Sequence, residues 1–342
     1  MARYRNHLPQ LSGDLFLTDG GIETTLIFHE GFELPDFAAF DLLKQGEGYK
    51  ALQKYFRTYA TLARNYQVGL VLESATWRAN PDWGEQLGYS SEALAEMNRE
   101  AIALLHDIRK EYETEQSRMV ISGCLGPHGD GYIPSNVMTA DEAEHYHRAQ
   151  IETFRDADAD LVTAITMNYP EEAIGIARAA QSVGMPVVIS FTVETDGKLP
   201  TGQTLKQAIA QVDQATHQAP TYYMINCAHP THFAEALTSG EPWLKRIRGI
   251  RANASTKSHA ELNEMETLDD GNPEELGSQY HELLDKLPHV NVLGGCCGTD
   301  HHHIEAICKA CLPVFWTHLS KSGQLPIQTS PLAKKSSLNV QY

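Results

Sequence analysis

Residues 160–192 read DLVTAITMNYPEEAIGIARAAQSVGMPVVISFT. The runs 160–166 and 186–192 are nearly continuous apolar stretches rich in β-branched residues, with no strict alternation of polar and apolar positions. That is the pattern of strands covered on both faces, as in a parallel sheet. Between them, 170–181 supplies a segment of helical length. The stretch is therefore one strand–helix–strand unit, and the fold follows from how often the unit recurs.

It recurs along nearly the whole chain. Further strands are expected at 15–18 (LFLT), 68–73 (VGLVLE), 119–122 (MVIS), 222–227 (YYMINC), 247–252 (IRGIRA) and 290–293 (VNVL). Helical segments fill the gaps. Residues 46–67 carry Leu52, Tyr55, Phe56, Tyr59, Leu62 and Ala63 at helical spacing, and Ser90 can cap a helix running to about residue 115. Thr139, with Glu142 three residues on, is a capping-box signature. Segments 204–214, 231–237, 273–287 and 300–311 complete the set. Eight strands, each followed by a helix, predict an α/β protein built as a single (β/α)8 barrel, because a doubly wound sheet more often stops at five or six. The barrel is expected to span residues 1–315 and a polar tail residues 316–342.

Composition is that of an ordinary globular chain, 42% hydrophobic and 21% charged over 342 residues. The formal charge of −17 disfavours nucleic acid and anionic membranes as partners. No apolar run approaches the ~18–20 residues of a membrane span, and no secretory segment opens the chain. A reducing cytoplasm is the expected compartment, so the six cysteines read as free thiols, ligands or nucleophiles.

Barrels of this class work at the C-terminal ends of their strands. Those ends carry Asp19–Gly20–Gly21, Glu73, Cys124, Thr166, Thr192, Cys227, Asn253 and the run GGCCGTD over 294–300. Adjacent strand residues point to opposite faces, so Cys296 and Cys297 can converge only if the backbone leaves strand geometry, which the flanking glycines permit. A buried free cysteine is commonly no more than a small hydrophobe. Cys227 together with Cys296 and Cys297 on one rim instead reads as three thiolates around Zn²⁺ with an open fourth position, the layout of a catalytic site. His301–His302–His303 follows at once, but consecutive helical residues diverge, and a solvated first turn with Asp300 as N-cap is the better reading. Cys308 and Cys311 read as helix packing, Cys124 as site lining, Glu194 and Asp196 as loop carboxylates.

The chain resembles the homocysteine S-methyltransferase family. The resemblance rests on Asp19–Gly20–Gly21 with Glu23–Thr24, Gly123–Cys124–Leu125–Gly126–Pro127, Ser190–Phe191–Thr192 with Asp196–Gly197 and Gly202, Asn226–Cys227, and GGCCGT, covering roughly residues 11–313. It implies Cys227, Cys296 and Cys297 as zinc ligands and the Asp19 loop, with Gly20 and Gly21, as the seat of the thiol substrate's amino-acid part. Glu73, Thr166 and Asn253 are expected to line the substrate, and Arg78 to grip its carboxylate. A free thiol with a pKa near 8.5 is little ionised at neutral pH, and zinc deprotonates it. The expected activity is transfer of a methyl group from a small cationic donor, sulfonium or betaine type, to a small thiol, first of all homocysteine. No folate or cobalamin domain is expected beyond the barrel, and the short C-terminal segment points to a sulfonium. One position departs from the family pattern. Where members commonly place a glutamate at the end of strand four, this chain has Ile165, which cannot pair with an ammonium. That motivates two rivals: methyl transfer involving a different small thiol or thioether, and a non-catalytic zinc-binding thiol sensor.

Overall fold

The computed structural model describes residues 1–321 except 45, 135, 238 and 239, with no side-chain detail beyond Phe315. Eight parallel strands close on themselves in sequence order. They are β1 (Phe16–Leu17), β2 (Gly69–Glu73), β3 (Met119–Leu125), β4 (Leu161–Met167), β5 (Val187–Phe191), β6 (Tyr222–Asn226), β7 (Ile247–Ala252) and β8 (Val292–Gly295). The helices that follow them are α1 (Glu47–Tyr66), α2 (Ser91–Tyr112), α3 (Ala140–Asp156), α4 (Pro170–Ser182), α5 (Leu205–Thr216), α6 (Pro230–Phe233), α7 (Pro273–Lys286) and α8 (His301–Lys321). The expected (β/α)8 architecture is thus the observed one. The caps form as read: the Ser90 side chain accepts from Ala93 N, and Thr139 and Glu142 make a reciprocal capping box. The expected tail starts inside α8, and its residues 322–342 lie outside the described residues.

The apolar residues divide into two layers. Alternate strand positions such as Leu17, Leu70, Ile121, Val162, Ile189, Ile225, Ile250 and Leu293 face the helices and form the large core. The others fill the bottom of the barrel: Phe16, Val71, Val120, Leu161, Val188, Tyr222, Met224 and Val292. Leu8 joins this inner cluster from the N-terminal segment, which also places Gln10 O where Asn291 Nδ2 donates to it at 2.9 Å. Above that plug the interior turns polar, with Glu73, Ser122, Thr163, Ser190, Asn226 and Arg251 all buried. Apolar floor and polar upper half together confine the chemistry to the C-terminal mouth.

Two interruptions of the ladder shape that mouth. The β4–β5 register shifts between Ala164 and Met167, and Thr166 there adopts φ 63°. The β6–β7 register shifts between Tyr223 and Met224. Each bulge re-aims the side chains that follow it.

Outside the barrel, α3 and α4 approach so closely at Gly175 that an added Cβ would lie 2.5 Å from both Ala143 Cβ and Glu144 N. Helix propensity alone favours alanine over glycine by about 1 kcal/mol. Here overpacking opposes it, so Gly175→Ala is expected to destabilise the fold by roughly 1–3 kcal/mol, read as a lower midpoint in urea unfolding. An unchanged or raised midpoint would contradict this packing.

Candidate active site

Strand β8 ends at Gly295, and the chain turns immediately through Cys296, Cys297 and Gly298, the last with φ 79°. The turn is held at four points. Cys296 N donates to Ala252 O at 2.8 Å, Ala254 N to Cys297 O at 3.1 Å, Thr299 N to Cys296 O at 3.1 Å and Gly21 N to Thr299 O at 2.9 Å. Across the rim, Cys227 takes φ 56° just after β6, a left-handed conformation that turns its side chain away from the strand path. The result is convergence. Cys227 Sγ lies 3.1 Å from Cys296 Sγ and 3.5 Å from Cys297 Sγ.

These sulfurs suit a metal. Zn–S bonds of about 2.3 Å at tetrahedral angles place sulfurs roughly 3.7 Å apart, a few tenths of an ångström beyond the spacing here. As free thiols the three share charge: hydrogen bonds from Cys227 and Cys297 hold Cys296 well below the ordinary thiol range, and Arg251 pulls the same way. A second cluster, Asp300–His301–His302, is also close enough to hold an ion. There, however, Asp300 Oδ1 accepts from the backbone N–H groups of His302 and His303 at 3.0 and 3.4 Å, the N-cap role expected of it. Cys308 and Cys311 are fully buried in the large core, again as read.

Asp19, Gly20 and Gly21 do reach the cysteines, but for a reason the sequence did not disclose. A Cβ at Gly20 would lie 2.7 Å from Thr299 O, and one at Gly21 2.7 Å from Cys296 O. Both glycines let the β1 loop press against the Cys296–Thr299 turn. Asp19 is already engaged: Arg251 Nη2 donates to its Oδ1 at 2.6 Å and Tyr55 OH to its Oδ2 at 3.0 Å. Burial raises the Asp19 carboxyl, and Arg251 and Tyr55 oppose that rise. Glu73 accepts from Thr163 at 2.9 Å, while its other oxygen stands 3.8 Å from Arg251 Nη1. Burial pushes Glu73 up to about 7 against the pull of Arg251. Thr166 is tied to β6: its N–H donates to Asn226 Oδ1, and its hydroxyl accepts from Asn226 Nδ2, both at 2.9 Å.

At 3.8 Å, Glu73 Oε2 and Arg251 Nη1 do not hydrogen-bond, and neither has another hydrogen-bond partner. Asn253 Oδ1 and Arg78 Nε are buried without a hydrogen-bond partner. The Arg78 guanidinium lies against the rings of Trp77 and Trp83, 4.0 and 4.1 Å from their centres, and Nη1 donates to Gly129 O at 2.8 Å. Ile165, although on a strand whose other residues are buried, is partly exposed.

Three residues at the site escaped the sequence reading. Arg251 is buried at the centre of the carboxylates, and its Nε donates to Gly295 O at 3.1 Å. Tyr132, from the loop after β3, holds its hydroxyl 2.9 Å from Cys227 Sγ and 4.0 Å from Cys297 Sγ. The His259 ring packs on Tyr132 with centroids 4.2 Å apart. An arginine inside a buried strand was a usable signal for the first, but nothing local marks the other two.

A family model described as homocysteine S-methyltransferase matches residues 16–311. The chain belongs to the homocysteine S-methyltransferase family. It is therefore a methyltransferase, and the reading as a non-catalytic thiol sensor falls away. The methyltransferase is 21% identical over 318 residues to homocysteine S-methyltransferase 4 of Zea mays, covering 87% of this chain and 90% of that one. It is 23% identical over 267 residues to selenocysteine Se-methyltransferase of Brassica oleracea var. italica, covering 70% of this chain and 74% of that one. The homocysteine methyltransferase MmuM from Escherichia coli shares the fold. Its oxidized form superposes with a TM-score of 0.71 at 17% identity, covering 90% of this chain and 99% of that one. Its metallated form gives a TM-score of 0.67 at 18% identity, covering 86% of this chain and 95% of that one.

The carboxylates around Arg251 predict a distinct stability phenotype. Removing one partner of a buried ion pair strands the other charge, at roughly 3–5 kcal/mol. Arg251→Met is expected to lose about that much in denaturant unfolding, and adding Asp19→Asn and Glu73→Gln should recover part of it. A triple variant no more stable than the single one would sink this account.

Proposed function

We propose that the methyltransferase moves a methyl group from a small cationic donor, of sulfonium or betaine type, to the thiol of homocysteine, giving methionine. Zn²⁺ is the proposed metal, held by Cys227, Cys296 and Cys297. The observation that carries this is the approach of three sulfurs from the ends of β6 and β8, the strands on either side of β7, to 3.1 and 3.5 Å. Three cysteines suit zinc, and when bound it would keep the substrate thiol deprotonated.

The chain's own residues do the remaining work. Asn226 and the glycine-flanked turn fix where the sulfurs point, and the Asp19 loop closes one side. The acceptor sulfur attacks the donor's methyl carbon, an S–C bond forms, and the donor's C–S⁺ or C–N⁺ bond breaks with its electron pair remaining on the donor heteroatom. The cation becomes neutral as the acceptor loses its negative charge. The negative charge of the cysteine thiolates beside it attracts such a cation.

Of the proposed substrate contacts, Arg78 Nε and Asn253 Oδ1 are supported by their missing partners; Glu73 Oε2 also lacks a hydrogen bond but faces Arg251 at 3.8 Å. Asp19, Gly20, Gly21, Glu73 and Thr166 act by shaping and charging the site. The substrates are small molecules, the net charge of −17 speaks against nucleic acid, and the cytoplasm is the proposed compartment because the cysteines must stay reduced. Among the described residues no helix is long and apolar enough to cross a membrane. A second reading, a different small thiol or thioether as acceptor, rests on Ile165.

Protein purified under reducing conditions is expected to contain about one zinc per chain, following the three-ligand catalytic pattern. Cys227→Ala, Cys296→Ala and Cys297→Ala should each lose most of it in elemental analysis. Full zinc in all three variants would refute the ligand assignment. Incubation with homocysteine and a panel of sulfonium and quaternary ammonium donors should yield methionine by mass spectrometry. Methylation of another thiol with homocysteine inert would favour the second reading.

A further inference from the structure

Besides the thiols and His259, the mouth holds the charged side chains Asp19, Glu23, Glu73, Arg78 and Arg251. Two of the carboxylates are engaged from within the protein. Asp19 has Arg251 on one oxygen and Tyr55 on the other, and Glu73 has Thr163 on one oxygen with Arg251 facing the other. Ile165 offers no charge. Glu23 stands apart: its carboxylate hydrogen-bonds its own backbone N–H, the Arg78 charge acts on it from a distance, and no side chain among the described residues forms an ion pair with it.

The backbone holds Glu23 in place. It sits in the helical turn Ile22–Thr24, directly after Gly21, which abuts Cys296 O. The next residue, Thr24, accepts from Gly298 N through its hydroxyl at 3.2 Å. Gly21, two residues before Glu23, and Thr24, the residue after it, are thus held against the cysteine turn. Glu23 is half-buried there and feels the charges of Cys296, Cys297 and Arg78. A partly desolvated carboxylate beside thiols, with Arg78 too far for an ion pair, is an electrostatic cost that an incoming ammonium reduces.

We infer that Glu23 is the carboxylate that receives the α-ammonium group of the acceptor, so that the loop after β1 takes over the pairing that Ile165 cannot make on β4. This rests on the proposed thiol acceptor and narrows it to thiols of amino acids. With the acceptor sulfur fixed at the cysteines, Glu23 and Arg78 offer a negative and a positive group to the two ends of one zwitterion. Asp19 and Glu73 keep the structural task of compensating Arg251.

The test compares homocysteine with γ-mercaptobutyrate, the same thiol chain without the amino group. Dissociation constants are measured by calorimetry on the metal-containing protein for wild type, Glu23→Gln and Glu23→Asp. A charge-assisted hydrogen bond corresponds to about a ten- to hundredfold preference for homocysteine in the wild type. Glu23→Gln should reduce that preference to about threefold or less, leaving γ-mercaptobutyrate affinity, metal content and melting temperature unchanged, while Glu23→Asp keeps an intermediate preference. A preference intact in Glu23→Gln overturns the assignment, as does a wild type that binds both thiols equally. A variant in which only the methyl donor's KM rises also overturns it, and places the donor's cation at Glu23. If the wild type with its metal in place binds neither thiol, the acceptor reading itself fails.

Discussion

A single guanidinium buried inside the barrel organises the upper half of this protein. Arg251 reaches from β7 to Asp19 at the end of β1, faces Glu73 at the end of β2, and donates to Gly295 O at the end of β8. Two carboxylates this deep would each carry a heavy desolvation penalty if left alone. The Asp19 and Glu73 charges, outweighing the cost of burial, hold the guanidinium protonated. The cluster therefore fastens three strand ends to one another, and the turn bearing Cys296 and Cys297 starts from one of them.

That dependence explains how the cysteines can be placed with so little regular structure around them. The turn at 296–299 belongs to no strand or helix. Its geometry comes from the β1 loop pressed against it, which only glycine at positions 20 and 21 allows, and from Ala252 and Ala254 on the neighbouring strand end. Beyond β7, Asn226 locks the β4 bulge to β6 one residue before Cys227. A site built this way has its cysteines in turns directly after strand ends and its charge balance inside the barrel. Among the described residues, the buried polar atoms left without a hydrogen bond at this end of the barrel include Arg78 Nε, Asn253 Oδ1, Glu73 Oε2 and Arg251 Nη1.

The amino-acid order alone established the strand count, the helix caps, the closed α/β barrel and the three cysteines. Each of these is written locally, in apolar runs, in capping residues or in residue types whose chemistry is hard to mistake. The family followed from the same motifs. Roles within the site were less legible. Asp19 and Thr166 stand at the rim as expected, but their polar atoms are taken by Arg251, Tyr55 and Asn226, contacts separated by 232, 36 and 60 positions in the chain.

Tertiary structure decided the rest, for a definite reason. Period-two reasoning assigns a side chain to a face only while the ladder is regular, and both β4 and β7 carry a register shift. In β7, Ile247 and Ile250 both face the helices despite their odd spacing, and Arg251 is turned into the barrel. Tyr132 comes from the loop after β3 and His259 from the short helix His259–Asn263 after β7, and no spacing in the sequence brings either to Cys227. The order of residues thus determined which elements form and which atoms are available for chemistry. Only barrel closure, with its two bulges and its buried charges, decided which of those atoms remain unpaired at the mouth.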